Sequence, residues 1–370
     1  MSSTSSKTNK DSNSAWVVAG MVCLIGCILL CLIAACLFGF PEKRLPITNI
    51  IGSGSSFNAS LVYHSDKDID YVDEIVIEEK RAYILGRDRS AIFILDISNP
   101  ESPLLMSTYQ PDDLYVITLG ARGDLLYLDT GKLEILDVTD AYKPQKIWEF
   151  ETNSPLKSIT ASVDHLYLTD SKATLYIVDI KDQTKPQLAN IIQNFNGMDY
   201  IEYSIADESL LFVVNKGLFI FDISNPTSPV EIGFYRLPIG INYFEHLVVS
   251  KGHVWVRGEY RDIFGESQSQ VLFLDISDPS QPTKIAAYDH YPFAGLGDIL
   301  CFYNSPKSLE SIHLMDFSNP TQPIELGYLS GIYSSLGYPA ALIQQDNSVY
   351  AYLTNYGDGL SIIKYSISNP

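Results

Sequence analysis

The feature that most constrains this chain is a phrase that it repeats. A β-rich run ending in Asp, then a turn, then proline, recurs as FILDISNPESP (93–103), LEILDVTDAYKP (133–144), YIVDIKDQTKP (176–186), FIFDISNPTSP (219–229), LFLDISDPSQP (272–282) and HLMDFSNPTQP (313–323). A seventh copy, IIKYSISNP (362–370), carries Ser366 where the others carry Asp. The aspartates Asp96, Asp137, Asp179, Asp222, Asp275 and Asp316 are 41, 42, 43, 53 and 41 residues apart, and Ser366 follows 50 later. A period near 42 suits four short strands per unit, the spacing of a propeller blade. The expected fold is therefore all-β: a seven-bladed β-propeller of four-stranded antiparallel blades over residues 57–370.

Within the first unit, alternation and breakers predict strands over 73–77, 81–85, 91–97 and 104–109. Helical periodicity is absent. At the end of a third strand an Asp carboxylate can accept backbone N–H groups of the following turn, so the six aspartates read as structural turn caps. The prolines cannot donate within a ladder and belong between strands. Calcium ligands would have to converge from neighbouring positions, whereas these aspartates lie one per blade. The last unit stops after its third strand, and an open blade would leave an unpaired edge. Residues 58–64 resemble the fourth strands of other units and are expected to pair with 360–367. A fourth strand starts on the side of the Asp turns, so the preceding tether is expected to arrive on that face.

These units resemble the LVIVD repeat family, whose signature LVIVDISNP is nearly reproduced in FIFDISNP (219–226) and FILDISNP (93–100). The resemblance spans roughly residues 57–370. It implies a bacterial or archaeal surface β-propeller and implies no reaction. Copies two and three depart from it, with Thr139-Asp140-Ala141 and Lys181-Asp182-Gln183 in place of Ser-Asn-Pro, which puts their turn geometry in question.

Ahead of the repeats, residues 1–14 are polar and expected to be disordered. Ala15 to Phe40 is a 26-residue run without a charge. As a helix at about 1.5 Å per residue it spans a membrane, and it is too long for a simple cleavable signal. Residues 41–56, with Gly52-Ser53-Gly54-Ser55-Ser56, read as a flexible tether. A second reading makes the chain a lipoprotein, because Ile33-Ala34-Ala35-Cys36 and Leu24-Ile25-Gly26-Cys27 resemble lipoboxes, with Cys36 as the lipidation candidate. Flanking charges tie, Lys7 and Lys10 against Lys43 and Arg44. The expected localisation is the cell membrane, single-pass, with the propeller extracytoplasmic.

Charge and chemistry narrow the function classes. With 25 Lys plus Arg against 44 Asp plus Glu the net charge is −19, and no basic stripe offers a nucleic acid a footing. Cys301 is the one cysteine outside the apolar segment, and six scattered histidines form no close pair, so neither a disulfide nor a metal site is indicated. No cofactor is implied. Motifs of the GxSxG, HExxH, P-loop and GxGxxG types are missing, and no catalytic residue is assigned.

The residues that break the repeat are more informative than those that make it. Residues 257–270 are an insertion between strands two and three of the fifth unit, expected as a long loop. Such loops share one face with the links between blades, opposite the Asp turns. On that face the sequence places Arg236, Tyr243, Arg257, Tyr260, Arg261, His290 and Tyr291 as candidate ligand-binding residues, since Tyr and Arg supply binding energy at interfaces and rings stack on sugars. The expected function is a non-enzymatic binding or scaffold module for extracellular protein or glycan, the propeller itself monomeric. The alternative is a hydrolase or lyase with carboxylates in the central funnel.

Overall fold

A computed structural model of the chain describes residues 56–65, 69, 71–86, 89–112, 115–237, 241–250, 252–261, 267–288, 291–304, 311–319, 322–330, 338–355 and 359–367. The expected disordered tail, the apolar run 15–40 and Cys36 lie outside these residues. Among those described, no helix is long and apolar enough to cross a membrane.

The strands form seven antiparallel sheets. Blade one holds Glu74–Glu78, Arg81–Leu85, Ile92–Asp96 and Leu104–Tyr109. Blades two to four run from Thr118–Arg122 to Gln145–Glu151, from Leu156–Ala161 to Gln187–Ile192 and from Tyr203–Asp207 to Val230–Arg236. Blades five and six run from Ile241–Ser250 to Thr283–Tyr288 and from Tyr291–Leu296 to Ile324–Ser330. The seventh contains Tyr338–Gln345, Ser348–Asn355 and Gly359–Ser366. Each first strand packs against the first strands of both neighbours, blade seven meeting blade one, so these strands surround the axis of a ring.

What joins the blades is apolar burial. Among the described residues seven clusters of buried side chains occur, each shared by two adjacent blades. Blades three and four, for example, share Tyr167, Ile177, Leu211, Val213 and Phe221. Burying a Leu, Ile or Phe contributes roughly 1.5–3 kcal/mol, so each interface outweighs any single polar contact in it. Alternation along the strands sends one set of side chains to each neighbour.

One column of this core is not evident from the repeated phrase. Counting from the residue that pairs with each repeat Asp or with Ser366, two positions into the second strand, stand Tyr83, Tyr127, Tyr167, Phe212, Trp255, Cys301 and Tyr350. All are buried. Six of the seven are aromatic, which fills the widening gap between blades away from the axis.

Blade seven's third strand has an outer partner from the start of the chain. Ala59–His64 pairs with Gly359–Ser366, with Ala59 opposite Tyr365 and His64 opposite Ser361. Just before it, Ser56 and Phe57 pair antiparallel with Leu329 and Tyr328 on the outer edge of blade six. Ser56 thus belongs to a strand rather than to the tether. Over these two residues the pairing runs from the loop-face side of blade six toward its turn-face side, and the tether before Ser56, where the expected approach falls, lies outside the described residues. Asn58, at φ +51°, makes the bend. Gly327 lies under it, and a Cβ there would stand 2.7 Å from the Phe57 carbonyl oxygen.

Candidate binding face

The two faces of the ring differ in kind. On one, every repeat Asp accepts a hydrogen bond from the backbone N–H two residues ahead: Ser98 to Asp96, Thr139 to Asp137, Lys181 to Asp179, Ser224 to Asp222, Ser277 to Asp275 and Ser318 to Asp316, all at 2.7–2.9 Å. A second cap follows three residues on, where Asn99, Asp140, Asp182 and Asp278 accept the N–H two ahead of themselves. Copies two and three therefore keep the turn despite their departures, because Asp140 and Asp182 accept as Asn99 does. These bonds hold the Asp96, Asp137, Asp222 and Asp275 carboxyls below the ordinary carboxylate range, the paired Ser or Thr side chain first and its N–H second. Each of these carboxylates is thus engaged by its own turn.

The opposite face carries the variation. In blade five the second and third strands, His253–Arg261 and Ser267–Asp275, stay paired from His253 opposite Asp275 to Arg261 opposite Ser267. The first strand, Ile241–Ser250, accompanies them out to Ile241 opposite Tyr260. Residues 257–270 are thus not a loop, as expected, but chiefly an extension of the hairpin. A ladder satisfies the backbone groups of so long an insertion, which a loop would leave to water. Blades one to four have second strands of 5 or 6 residues, whereas this one has 9.

The ladder gathers several of the candidate residues. Tyr243 stands opposite Glu259, Tyr260 lies between Ile241 and Gln268, and Arg257 pairs with His246 on one side and Val271 on the other. Arg257 is half-buried. Arg236 ends the outer strand of blade four, exposed and opposite Gly217. Tyr291 opens blade six opposite Tyr303. His290 lies outside the described residues. Tyr243, Arg257, Tyr260 and Arg261 thus share one end of one sheet, with Arg236 and Tyr291 on the blades to either side.

A second constellation, near the axis, was not anticipated from the sequence. Glu74, at the loop-face end of the first strand of blade one, accepts a hydrogen bond from the Thr118 hydroxyl of blade two at 3.0 Å. Asp73 pairs with Arg89, whose guanidinium also donates to the Ile117 carbonyl. Burial pushes the Glu74 carboxyl up to about 7, outweighing the Thr118 bond and the Arg89 charge. Tyr203, on the first strand of blade four, is pushed up to about 12 by burial and by the Glu74 charge. Both retain partial exposure. No local motif marks Glu74; the signal available was its place at the start of a first strand, the position that faces the axis. Among the described residues no group of His, Cys, Asp and Glu could hold a metal ion.

Comparison with known proteins agrees with this architecture. The LVIVD repeat matches residues 71–111, 156–193, 208–236 and 252–290. The chain carries four LVIVD repeats. Those stretches fall within blades one, three, four and five, and the turns of blades two and six keep the same caps outside them. No curated protein matches the chain. Among solved structures it is similar to Sqt1 of Saccharomyces cerevisiae, with TM-score 0.55 and 9% identity over 83% of this chain and 98% of that one. It is also similar to the computationally designed Ika8 protein, with TM-score 0.54 and 12% identity over 83% and 99%. A protein from Lactobacillus plantarum gives 0.54 and 9% over 80% and 88%. At such identities the likeness is one of fold.

Proposed function

We propose that this LVIVD-repeat propeller is a membrane-tethered binding module whose partner, an extracellular protein or glycan, docks on the loop face of blades four to six. The observation that carries the reading is the blade-five hairpin. It extends well beyond the second strands of blades one to four, and it holds Tyr243, Arg257, Tyr260 and Arg261 at one sheet end. Rigid strands carrying aromatic and Arg side chains bind at a lower entropy cost than a free loop would.

The tethering rests on the uncharged run 15–40, and export on the ease with which long C-terminal domains translocate. In this reading the strand Ala59–His64 is the clasp of the ring, which turns the entry of the chain into a structural element. The test is a screen of the full-length chain, in detergent, against a glycan array and a panel of extracellular proteins. A variant in which Asn-Lys-Gly, the link of blade four, replaces residues 257–270 runs in parallel. Hits that the parent binds and the trimmed variant loses, at equal melting temperature, support the reading. Hits that both bind equally overturn it.

A further inference from the structure

The outer half of blade six departs from its siblings in a way that packing does not require. Three residues before the repeat Asp, or before Ser366, the third strands carry Phe93, Glu134, Tyr176, Phe219, Leu272, His313 and Ile363. Besides Tyr176, two of these positions are ionisable. In blade two Glu134 is buried and paired with Lys132 and Lys146, which accounts for it as an ion cluster. In blade six His313 stands in a different setting.

Instead, its imidazole bridges two side chains of different chemistry. The Nε2 atom lies 2.7 Å from the Ser311 hydroxyl, and Nδ1 meets the Glu325 carboxylate. Ser311 and His313, two apart on one strand, project to the same side. Glu325 comes from the neighbouring fourth strand, beside the register shift at Leu314 and Met315. An ionised carboxylate can only accept, so Glu325 fixes the proton on Nδ1 and leaves Nε2 free to accept from Ser311. Tyr328 stacks on the imidazole at 5.6 Å between ring centres and holds its plane. The result is a hydroxyl, a base and a group orienting the base, in the order that nucleophilic catalysis uses.

We propose that Ser311, His313 and Glu325 form an acyl-transfer relay that accepts short, unbranched acyl esters. The Ser311 oxygen forms a bond to the acyl carbon as its proton passes to Nε2. Collapse of the adduct breaks the ester C–O bond, and the departing alkoxide takes that proton. Water then attacks the acyl-serine, giving its proton to Nε2, and the carboxylic acid leaves as Ser311 is reprotonated. Ser311 is only 6% exposed, which is why the acyl group must be small.

The experiment is labelling of the full-length chain with a biotinylated fluorophosphonate, alongside hydrolysis of 4-nitrophenyl acetate. Phe is the residue that blades one and four place at this position, so His313→Phe keeps the stack on Tyr328 while removing both nitrogens. The expected result is one adduct on the peptide containing Ser311, absent in Ser311→Ala and formed roughly a hundredfold more slowly in His313→Phe. The rates are compared per folded molecule, with the folded fraction of each variant read from its thermal melt. A parent that takes no adduct on Ser311 while a serine hydrolase in the same tube is fully labelled overturns the proposal. So does a rate per folded molecule that His313→Phe leaves unchanged.

Discussion

Thr118 donates its hydroxyl proton to Glu74 across the boundary between blades one and two, at 3.0 Å. The bond joins two strands next to the axis, and its acceptor is the carboxyl that burial has moved furthest from ordinary acid behaviour among those given a value.

Glu74 should make stability depend on pH. Its carboxyl titrates at about 7 in the fold against 4.5 ordinarily, so between these values the folded chain keeps a proton that the unfolded chain has lost. Stability contributed by the neutral form is complete below about 4.5, falls as pH rises to about 7, and stays lost above it. A displacement of this size corresponds to at most about 3.5 kcal/mol. Glu74→Gln should remove that slope and raise the melting temperature at pH 8, with Asp73, Arg89 and Tyr203 left in place. Denaturant melts at pH 5 and pH 8 for both proteins check this, and an unchanged slope in the variant would contradict it.

The turn caps should behave alike whether or not the repeat is faithful. Asp96→Ala and Asp137→Ala each remove an acceptor for one backbone N–H and should each destabilise the chain by about 0.5–2 kcal/mol. Thermal melts decide it. A cost at Asp96 with none at Asp137 would mean that the second copy does not depend on its cap.

Blade contacts at the rim should be intolerant of a single methyl. A Cβ on Gly233 would lie 1.9 Å from the Pro279 carbonyl oxygen of the next blade's turn. Gly233→Ala should therefore cost about 1–3 kcal/mol, the range for overpacking. Gly297, at φ +62° with open space around it, is the control: its alanine variant feels strain but no clash. Equal losses at both sites would remove the inter-blade explanation.

Removing the clasp should affect the whole ring. Deletion of 57–64 strips the outer partner from Gly359–Ser366 and exposes part of the cluster shared by blades six and seven, where Ala59 and Leu61 pack. A large drop in melting temperature is expected, and deletion of 45–55 should leave it unchanged. Both are read in one calorimetric scan series.

Much of this architecture was legible in the sequence because it is periodic. Asp, turn and proline recur in register, and the strands of blade one lie within a residue of where alternation puts them. The blade-five insertion was visible as a spacing of 53, but its length could not say whether it was loop or hairpin; only cross-strand pairing decides that. The direction of Ser56 and Phe57 was equally hidden, since two residues carry no signature of the edge on which they will pair. Glu74 and Thr118 are 44 residues apart and meet because a ring places first strands side by side, which no local pattern records. His313 was noted as scattered for the same reason: Ser311 and Glu325 become its neighbours only through strand alternation and a register shift.

Amide hydrogen exchange of the full-length chain, with and without a hit from the screen, tests the binding account most directly. The account predicts added protection in 241–250, 253–261 and 267–275, with the turns at 97–103 and 223–229 unchanged. Protection confined to those turns, with the blade-five hairpin exchanging as in the free protein, would contradict it.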